Sequence, residues 1–294
     1  DLPSGLDAFA LRTDGHLGSA VEIARDRTML WFYRAFLAQS EIDFAIWSMR
    51  GSSVAHLKYR LGLLTSRFRA NHPLKACIAC MQDDLSMHGW VYWHQVHQFP
   101  GVWICPIHAL PLRTSRLKST GVERFLWHLP AESQLEAPWQ DSDATQTLAL
   151  QRLAMLTIAL VGHNREDGYL HADSVQRTLR ARFQERGWLT SGGYARLTDA
   201  ATGYLQHCAL LRLPHELACL PTTQHEASVQ IGRLIRPLRS GVHPIRLLVA
   251  IDWLFTDLDD FLEQHKEAAR SCVHATSEEG TSVIEKAADE RALR

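Results

Sequence analysis

Four residues in the first half of the chain have the types and the spacing of a metal site. Two residues separate Cys77 from Cys80, and two separate Cys105 from His108. Each pair is a short chelating unit of the kind that tetrahedral Zn²⁺ uses, and thiolates and imidazole suit its intermediate softness. Four protein ligands leave no open position for a catalytic water. We therefore predict one structural Zn²⁺, with the ligands Cys77, Cys80, Cys105 and His108.

The alternative is that these cysteines are ordinary buried thiols, which are common in intracellular proteins. Three histidines between the two pairs, His88, His94 and His97, could in principle replace a ligand. A lone histidine without a paired ligand is a weak signal, and surface or supporting roles are more common. Two independent pairs at matching spacing favour the metal site.

The segment between the two pairs must bring them together. Aromatic residues and His97 recur there at helical spacing, which predicts a short helix from residue 89 to residue 98. A strand-like run, 102–104, then leads into the second pair. The sequence thus predicts a zinc ribbon over residues 77–108 with a helical insert.

Apolar periodicity elsewhere predicts a mainly α-helical protein in which the ribbon is a small α+β element. Residues 130–146 contain Pro, Ser and Asp with few periodic apolar residues, which is typical of a linker. The predicted organisation is an N-terminal helical domain with the ribbon (1–129), a linker (130–146), a second helical domain (147–264) and a charged tail (265–294).

The second domain contains the outline of a helix-turn-helix. A predicted helix over 175–186, a glycine-containing break and a predicted helix over 197–211 follow one another. Most two-helix units of this kind only pack a core. Arginines around the first helix favour nucleic-acid recognition, because guanidinium pairs well with guanine and phosphate. The predicted contact residues are Arg177, Arg180, Arg186 and Arg196.

Charge is distributed unevenly along the chain. The formal net charge of −1 argues against a protein that coats nucleic acid. Residues 50–118, however, contain nine basic and two acidic residues, and residues 176–246 contain ten arginines and four acids. Such basic regions are compatible with phosphate contacts, although solvated helix faces give the same pattern. In the first region we predict contacts from Lys58, Arg60, Arg67 and Arg69.

Composition and motifs limit the class of protein. With 294 residues, 46% of them hydrophobic and 21% charged, the chain is long enough for two modest globular domains. We expect no apolar run of membrane-spanning length and no signal peptide. Six cysteines without a disulfide pattern indicate a reducing compartment, so we expect a cytoplasmic protein. The motifs GxSxG, GxxxxGK[ST] and HExxH do not occur, and we predict that the chain is not an enzyme.

The run YWHQVHQFPGVWICPIHALPL, preceded by CIAC, resembles the signature of the TniQ/TnsD family of bacterial transposition proteins. That signature is CPxC, an aromatic-Trp-x-x-x-His segment, and CPxHxxxL. The stretches RTMLWFYRAFLA and HPIRLLVAIDWLF also resemble family segments. The chain departs from the family pattern in two ways. First, Ile78 and Ala79 stand where the family has proline and another residue. Second, the chain starts at Asp1 without the expected proline-rich segment. The second departure suggests that the chain is a trimmed piece of a longer protein or that its native start is absent.

The resemblance implies a bacterial transposition adaptor. Such proteins recognise target DNA, or an RNA-guided CRISPR effector on DNA, and pass it to an AAA+ ATPase that recruits the transposase. CRISPR-associated members act as homodimers, so a dimer is compatible with the resemblance. Two other functions fit the residues. A transcriptional regulator could use the same ribbon and helix-turn-helix, and a zinc hydrolase would need an exposed metal with a bound water.

Overall fold

The computed structural model describes residues 2–63, 68, 73–117, 128–137, 139, 143–166, 170, 172–190, 197–236 and 243–268. The fold is mainly helical, as the sequence predicts. In the first half, the helices are α1 (Leu6–Arg12), α2 (Ala20–Asp26), α3 (Leu30–Tyr33), α4 (Gln39–Arg50), α5 (Leu57–Arg60), α6 (Ile78–His88) and α7 (Gln95–Gln98).

Local signals account for the ends of several of these helices. A reciprocal capping box begins α2, where Ser19 Oγ accepts a hydrogen bond from the Glu22 N–H and Glu22 Oε2 accepts one from the Ser19 N–H. Gly89, with φ of 76°, ends α6 in the left-handed conformation that glycine adopts without strain. Apolar faces of α2, α3 and α4 then pack into the core.

The region around the cysteine pairs has little regular structure. Strands β1 (Lys75–Ala76) and β2 (Arg113–Thr114) form an antiparallel pair, and Ile104 makes an isolated bridge with Pro111. The predicted helix over 89–98 is largely wrong, because only α7 at its end is helical and the longer helix is α6. Gly89 stops α6, and an extended segment follows in which the rings of Tyr92 and His94 stack.

Longer helices make up the second half. They are α8 (Ala144–Glu166), α9 (Ala172–Glu185), α10 (Leu197–Leu211), α11 (Gln224–Leu234), α12 (Pro244–Leu254) and α13 (258–268). Helix α12 lies within the stretch HPIRLLVAIDWLF, and every described residue from Ile245 to Leu254 except Arg246 and Trp253 is buried. It packs against α8 and α9, while α10 packs mainly against α11.

Both halves contribute to one hydrophobic core. Trp31 Nε1 donates a hydrogen bond to the Val161 carbonyl over 3.3 Å, and the ring of Tyr33 meets that of His243 edge-on. Gly101 lies so close to Thr157 that a side chain at this position would collide with it. The two parts of the chain are therefore in direct contact, and the domain boundaries stay a prediction.

Helix α8 differs from expectation in one respect. By length and composition alone, its residues 144–163 are long and apolar enough to cross a membrane, although we expected no such run. In the structure 39% of this stretch is buried, and α8 packs against α10 and α12. The core helix of a soluble protein passes the same test, so one such helix is weak support for a membrane role.

Candidate metal centre and basic residues

The two cysteine-containing pairs lie on different kinds of backbone. Cys77 immediately precedes α6 and Cys80 lies in its first turn, where helical N–H groups are available to a thiolate. Cys105 and His108 lie in a tight turn that the Cys105 N–H closes by donating to the Leu110 carbonyl over 2.8 Å. Ala109, with φ of 53°, permits the chain to reverse there.

The structure brings all four predicted ligands together. Their ligand atoms, three Sγ atoms and Nδ1 of His108, lie within 4.8 Å of one another. Four of the six separations are 3.7 Å from Cys77 to His108, 3.6 Å from Cys80 to Cys105, 3.3 Å from Cys80 to His108 and 3.7 Å from Cys105 to His108. A tetrahedral Zn²⁺ at about 2.3 Å from sulfur and about 2.0 Å from nitrogen requires edges of roughly 3.5–3.8 Å. The cluster is therefore compatible with one metal ion.

The thiols show why a cation suits this cluster. A hydrogen bond with Cys105 and burial raise the pKa of Cys77 well above its usual range, and the same bond lowers the pKa of Cys105. Burial raises the pKa of Cys80 to about 11. Since a metal binds thiolates, loading the centre must displace protons, and metal affinity will fall as the pH falls.

Two carboxylates support the histidines of this region. Asp83 Oδ2 lies 3.0 Å from Nε2 of His108, the ring nitrogen that faces away from the sulfur atoms. Asp84, which is buried, lies 2.8 Å from Nε2 of His94. A carboxylate behind a ligating imidazole fixes its tautomer and raises its basicity. Sequence reasoning missed both acids, although a helix placed directly after Cys77 would have put them one turn beyond Cys80.

His97 is a further nitrogen close to the cluster. Its Nε2 lies 3.6 Å from Sγ of Cys105 and 3.9 Å from Sγ of Cys80. The side chain is buried, and burial together with the neighbouring His94 lowers the pKa of His97 to about 3. Its imidazole is therefore neutral at physiological pH. Of the other two histidines considered from the sequence, His88 is exposed and His94 stacks on Tyr92.

A buried lysine orders the loop that leads to the second pair. Nζ of Lys75 donates hydrogen bonds to the carbonyls of Phe99 and Val102 over 2.9 and 2.6 Å, and it lies 4.1 Å from the centre of the Trp103 ring. Burial lowers the pKa of Lys75 to about 7. The sequence gives no signal for this role, because a lysine in a basic region ordinarily faces solvent.

The predicted basic residues of the first half are only partly described. Arg60 is exposed, and its guanidinium carbon lies 3.5 Å from the centre of the Phe44 ring. Lys58 is half-buried, and burial lowers its pKa. Arg67 and Arg69 lie outside the described residues. Of the two described residues in this group, Arg60 has the exposed side chain.

The predicted arginines of the second half have different surroundings. Arg177 is exposed on α9, and its Nη2 donates to Ser174 Oγ over 3.1 Å. Arg180 donates to the Ile235 carbonyl over 3.2 Å, and Arg186 donates to the Leu254 carbonyl over 2.7 Å. Arg180 thus joins α9 to the end of α11, and Arg186, the residue that follows α9, contacts the end of α12. Arg196 lies outside the described residues.

The helix-turn-helix stays a prediction. Helices α9 and α10 correspond to its two predicted helices, but the break between them at residues 191–196 lies outside the described residues. Trp253 of α12 connects the two helices, since its ring meets that of Phe183 on α9 at 5.8 Å and that of Tyr204 on α10 at 4.9 Å. Helix α9 packs against α12, whereas α10 packs mainly against α11.

Comparison with known families separates the chain into two matching regions. The family model described as TniQ matches residues 22–112, and that described as Tn7-like transposition protein D, TnsD, matches residues 156–290. The TniQ match contains all four clustered ligands, and the TnsD match contains α9 to α13. No curated protein sequence matches the chain.

Proposed function

This chain belongs to the TniQ/TnsD family of Tn7-like transposition proteins, and we propose that it is a non-enzymatic adaptor that selects the transposon's target site. The adaptor binds target DNA, or an RNA-guided CRISPR effector on DNA, and recruits an AAA+ ATPase of the transposition machinery. It works in the bacterial cytoplasm without a membrane, and a homodimer is compatible with this role.

One observation carries the proposal: a TniQ-like part and a TnsD-like part lie on one chain and share a hydrophobic core. An adaptor must hold two binding surfaces at a defined separation and orientation. Core contacts across the two parts, such as that of Trp31 with Val161, suit this requirement better than a flexible linker would.

The proposed metal is a structural Zn²⁺ on Cys77, Cys80, Cys105 and His108. Three sulfur atoms and one imidazole complete a tetrahedral set, which supports a role in folding and leaves no ligand position for a substrate. When bound, the ion supplies a cross-link between the start of α6 and the 105–110 turn. A hydrolase would need an open coordination position, and this arrangement does not favour one.

Nucleic-acid contacts are proposed for the eight predicted basic residues, led by Arg60 and Arg177, whose side chains are exposed. An exposed guanidinium can reach phosphate, and the hydrogen bond of Arg177 to Ser174 leaves most of its N–H groups for that contact. Arg180 and Arg186 bind carbonyls within the protein, so a contact from either would have to use its remaining N–H groups.

Binding of the purified chain to duplex DNA fragments, including the transposon's insertion site, tests the target-selection role. A site preference that survives raised salt would mean direct reading of base edges. Sequence-independent binding that salt abolishes would mean that a partner, such as an RNA-guided complex, supplies specificity. Arg12→Ala, another exposed arginine, is the matched control for Arg60→Ala and Arg177→Ala.

Association with the transposon's own AAA+ ATPase tests the recruiting role. In analytical ultracentrifugation of the two purified proteins with ATP, we expect a complex. If no complex forms, with or without target DNA, the adaptor proposal is wrong. A transcriptional regulator built on the same elements would bind DNA in the first experiment and leave the ATPase unbound in this one.

A further inference from the structure

His97 lies beside the four candidate metal ligands but is not one of them. The four ligand atoms lie within 4.8 Å of one another and suffice for a four-coordinate ion, and His97 Nε2 approaches two of the sulfur atoms, at 3.6 Å from Cys105 and 3.9 Å from Cys80. These distances suit an N–H···S hydrogen bond. The side chain is 1% exposed, so water does not compete for it.

The surroundings of the ring decide which nitrogen carries the proton. In the part of the chain that the structure describes, Nδ1 of His97 is buried and has no hydrogen-bond partner. A buried N–H without an acceptor is costly, and a lone pair on Nε2 facing thiolates would be repelled. A proton on Nε2 avoids both penalties and gives the thiolates a donor.

We propose that the Nε2–H of His97 donates a hydrogen bond to the thiolates of Cys80 and Cys105 in the metal-loaded centre and thereby slows metal loss. The proposal depends on the metal centre and not on the adaptor role, so either can fail without the other. His97 acts as a positioning residue that supports the ligands from outside the coordination sphere.

Electrostatics give the reason for such a donor. A divalent ion with three thiolates and a neutral imidazole carries a net charge of −1, and this centre is buried. Backbone N–H groups of residues 79 and 80 already donate to Cys77, and those of residues 107 and 108 donate to Cys105. A hydrogen bond from His97 spreads the thiolate charge further and makes the sulfur atoms poorer nucleophiles and poorer proton acceptors.

Helix α7 holds His97 in place independently of the metal. The Gln98 side chain accepts a hydrogen bond from the Lys75 N–H over 2.9 Å and donates one to the Lys75 carbonyl over 2.8 Å, which ties α7 to β1. The His97 ring also stacks on His94 at 4.9 Å. A substitution of His97 therefore removes the donor while the element that carries it stays attached.

Nuclear magnetic resonance of the full chain loaded with ¹¹³Cd²⁺ tests the bond directly. We expect scalar coupling between ¹¹³Cd and the Nε2 proton of His97, transmitted through the N–H···S bond. A His97 proton on Nδ1 without coupling would overturn the proposal. Direct one-bond coupling of ¹¹³Cd to the His97 nitrogen would also overturn it, because His97 would then be a ligand.

Metal release from variants tests the consequence. For His97→Phe, which keeps a ring and removes the donor, we expect Zn²⁺ transfer to a chelator about tenfold faster than in the wild type. His97→Gln, whose amide can donate from a similar position, should lie between the two. His88→Phe, at an exposed histidine, is the matched control and should release metal at the wild-type rate.

Co²⁺ absorption separates this role from the others. We expect His97→Phe to keep the strong visible bands of a tetrahedral cobalt–thiolate centre. Loss of those bands would mean that His97 is a ligand, and an unchanged release rate would mean that its hydrogen bond has no effect; either result contradicts the proposal. If His97→Phe does not fold, the ¹¹³Cd coupling in the wild-type chain decides.

Discussion

The metal-centre region and the helical second half are held together in different ways. Residues 75–114 contain two-residue strands, the 11-residue α6 and the four-residue α7, and their buried groups include the sulfur atoms of the cluster and the hydrogen-bonded side chain of Lys75 beside apolar side chains such as Trp103. The second half contains helices of 11 to 23 residues around an apolar core. The first region therefore combines core packing with a few specific polar and ligand interactions, whereas the second depends mainly on packing contacts.

Breaking a ligand is expected to have the largest effect. Cys80→Ser should lose Zn²⁺ and unfold the TniQ-like part, since metal binding in small ribbons contributes on the order of 10 kcal/mol to folding. Metal analysis and urea unfolding provide the measurements. Cys219→Ser, at a half-buried cysteine outside the cluster, is the control. A Cys80→Ser chain that keeps one Zn²⁺ and its unfolding midpoint would contradict the comparison.

In the second half, the buried carboxylate of Asp252 is the single side chain most comparable to a metal ligand, because it links several helices. Asp252 on α12 is almost fully buried and lies 3.1 Å from Nε of Arg152 and 2.9 Å from Nε2 of His207, so it joins α12 to α8 and α10. Asp252→Ala should lower the free energy of unfolding by about 3 kcal/mol, the low end for a broken buried pair because Arg152 is half-exposed.

Urea unfolding of Asp252→Ala beside Asp259→Ala, an exposed acid on α13, measures this difference. We expect Zn²⁺ content to stay at one per chain in both variants. Loss of the metal from Asp252→Ala would mean that destabilising the second half also disrupts the metal-centre region.

Replacing the buried lysine sharpens the comparison within the metal-centre region. Lys75→Met leaves the carbonyls of Phe99 and Val102 without their donor and should cost about 1–3 kcal/mol at pH 7. Burial lowers the pKa of Lys75 to about 7, so the unfolded chain binds more protons there between about pH 7 and 10.5. The wild-type stability from this group therefore rises with pH across that window.

The measurement is the difference in unfolding free energy between wild type and Lys75→Met at pH 7, 8 and 9. This difference should grow as the pH rises. Leu74→Met, at an exposed neighbouring residue, controls for the substitution itself. A difference that stays constant over this range would show that Lys75 keeps its proton when buried.

The smallest effects are expected at Arg177 on α9 and at Arg186, the residue that follows α9. Arg177→Ala should leave stability unchanged and reduce the slope of log affinity against log salt by about 1, because Arg177 is exposed. Arg186→Ala should cost about 1 kcal/mol of stability, since the Leu254 carbonyl loses its donor. Thermal unfolding and salt-dependent DNA binding of both variants check this. Equal stability losses, or an unchanged salt slope for Arg177→Ala, would contradict it.

Sequence spacing was sufficient where the interaction is local. Two residues between Cys77 and Cys80 determine that both thiols can reach one ion, whatever surrounds them. The long helices were also predictable, because apolar periodicity over ten or more residues is a strong signal. Short elements were not predictable. The spacing of aromatic residues near residue 93 predicts a helix there, whereas the observed helix, α6, begins directly after Cys77 and ends before Gly89.

Sequence patterns alone predicted the four side chains that cluster, the helical class and the family. Only the tertiary structure decided what lies around them. It placed His97 and Asp83 beside the metal cluster, buried Lys75 under the loop, and assigned Arg180 and Arg186 to carbonyls of other helices. Ligand type and spacing are properties of a short segment, whereas burial and hydrogen-bond partners depend on segments that meet only after folding.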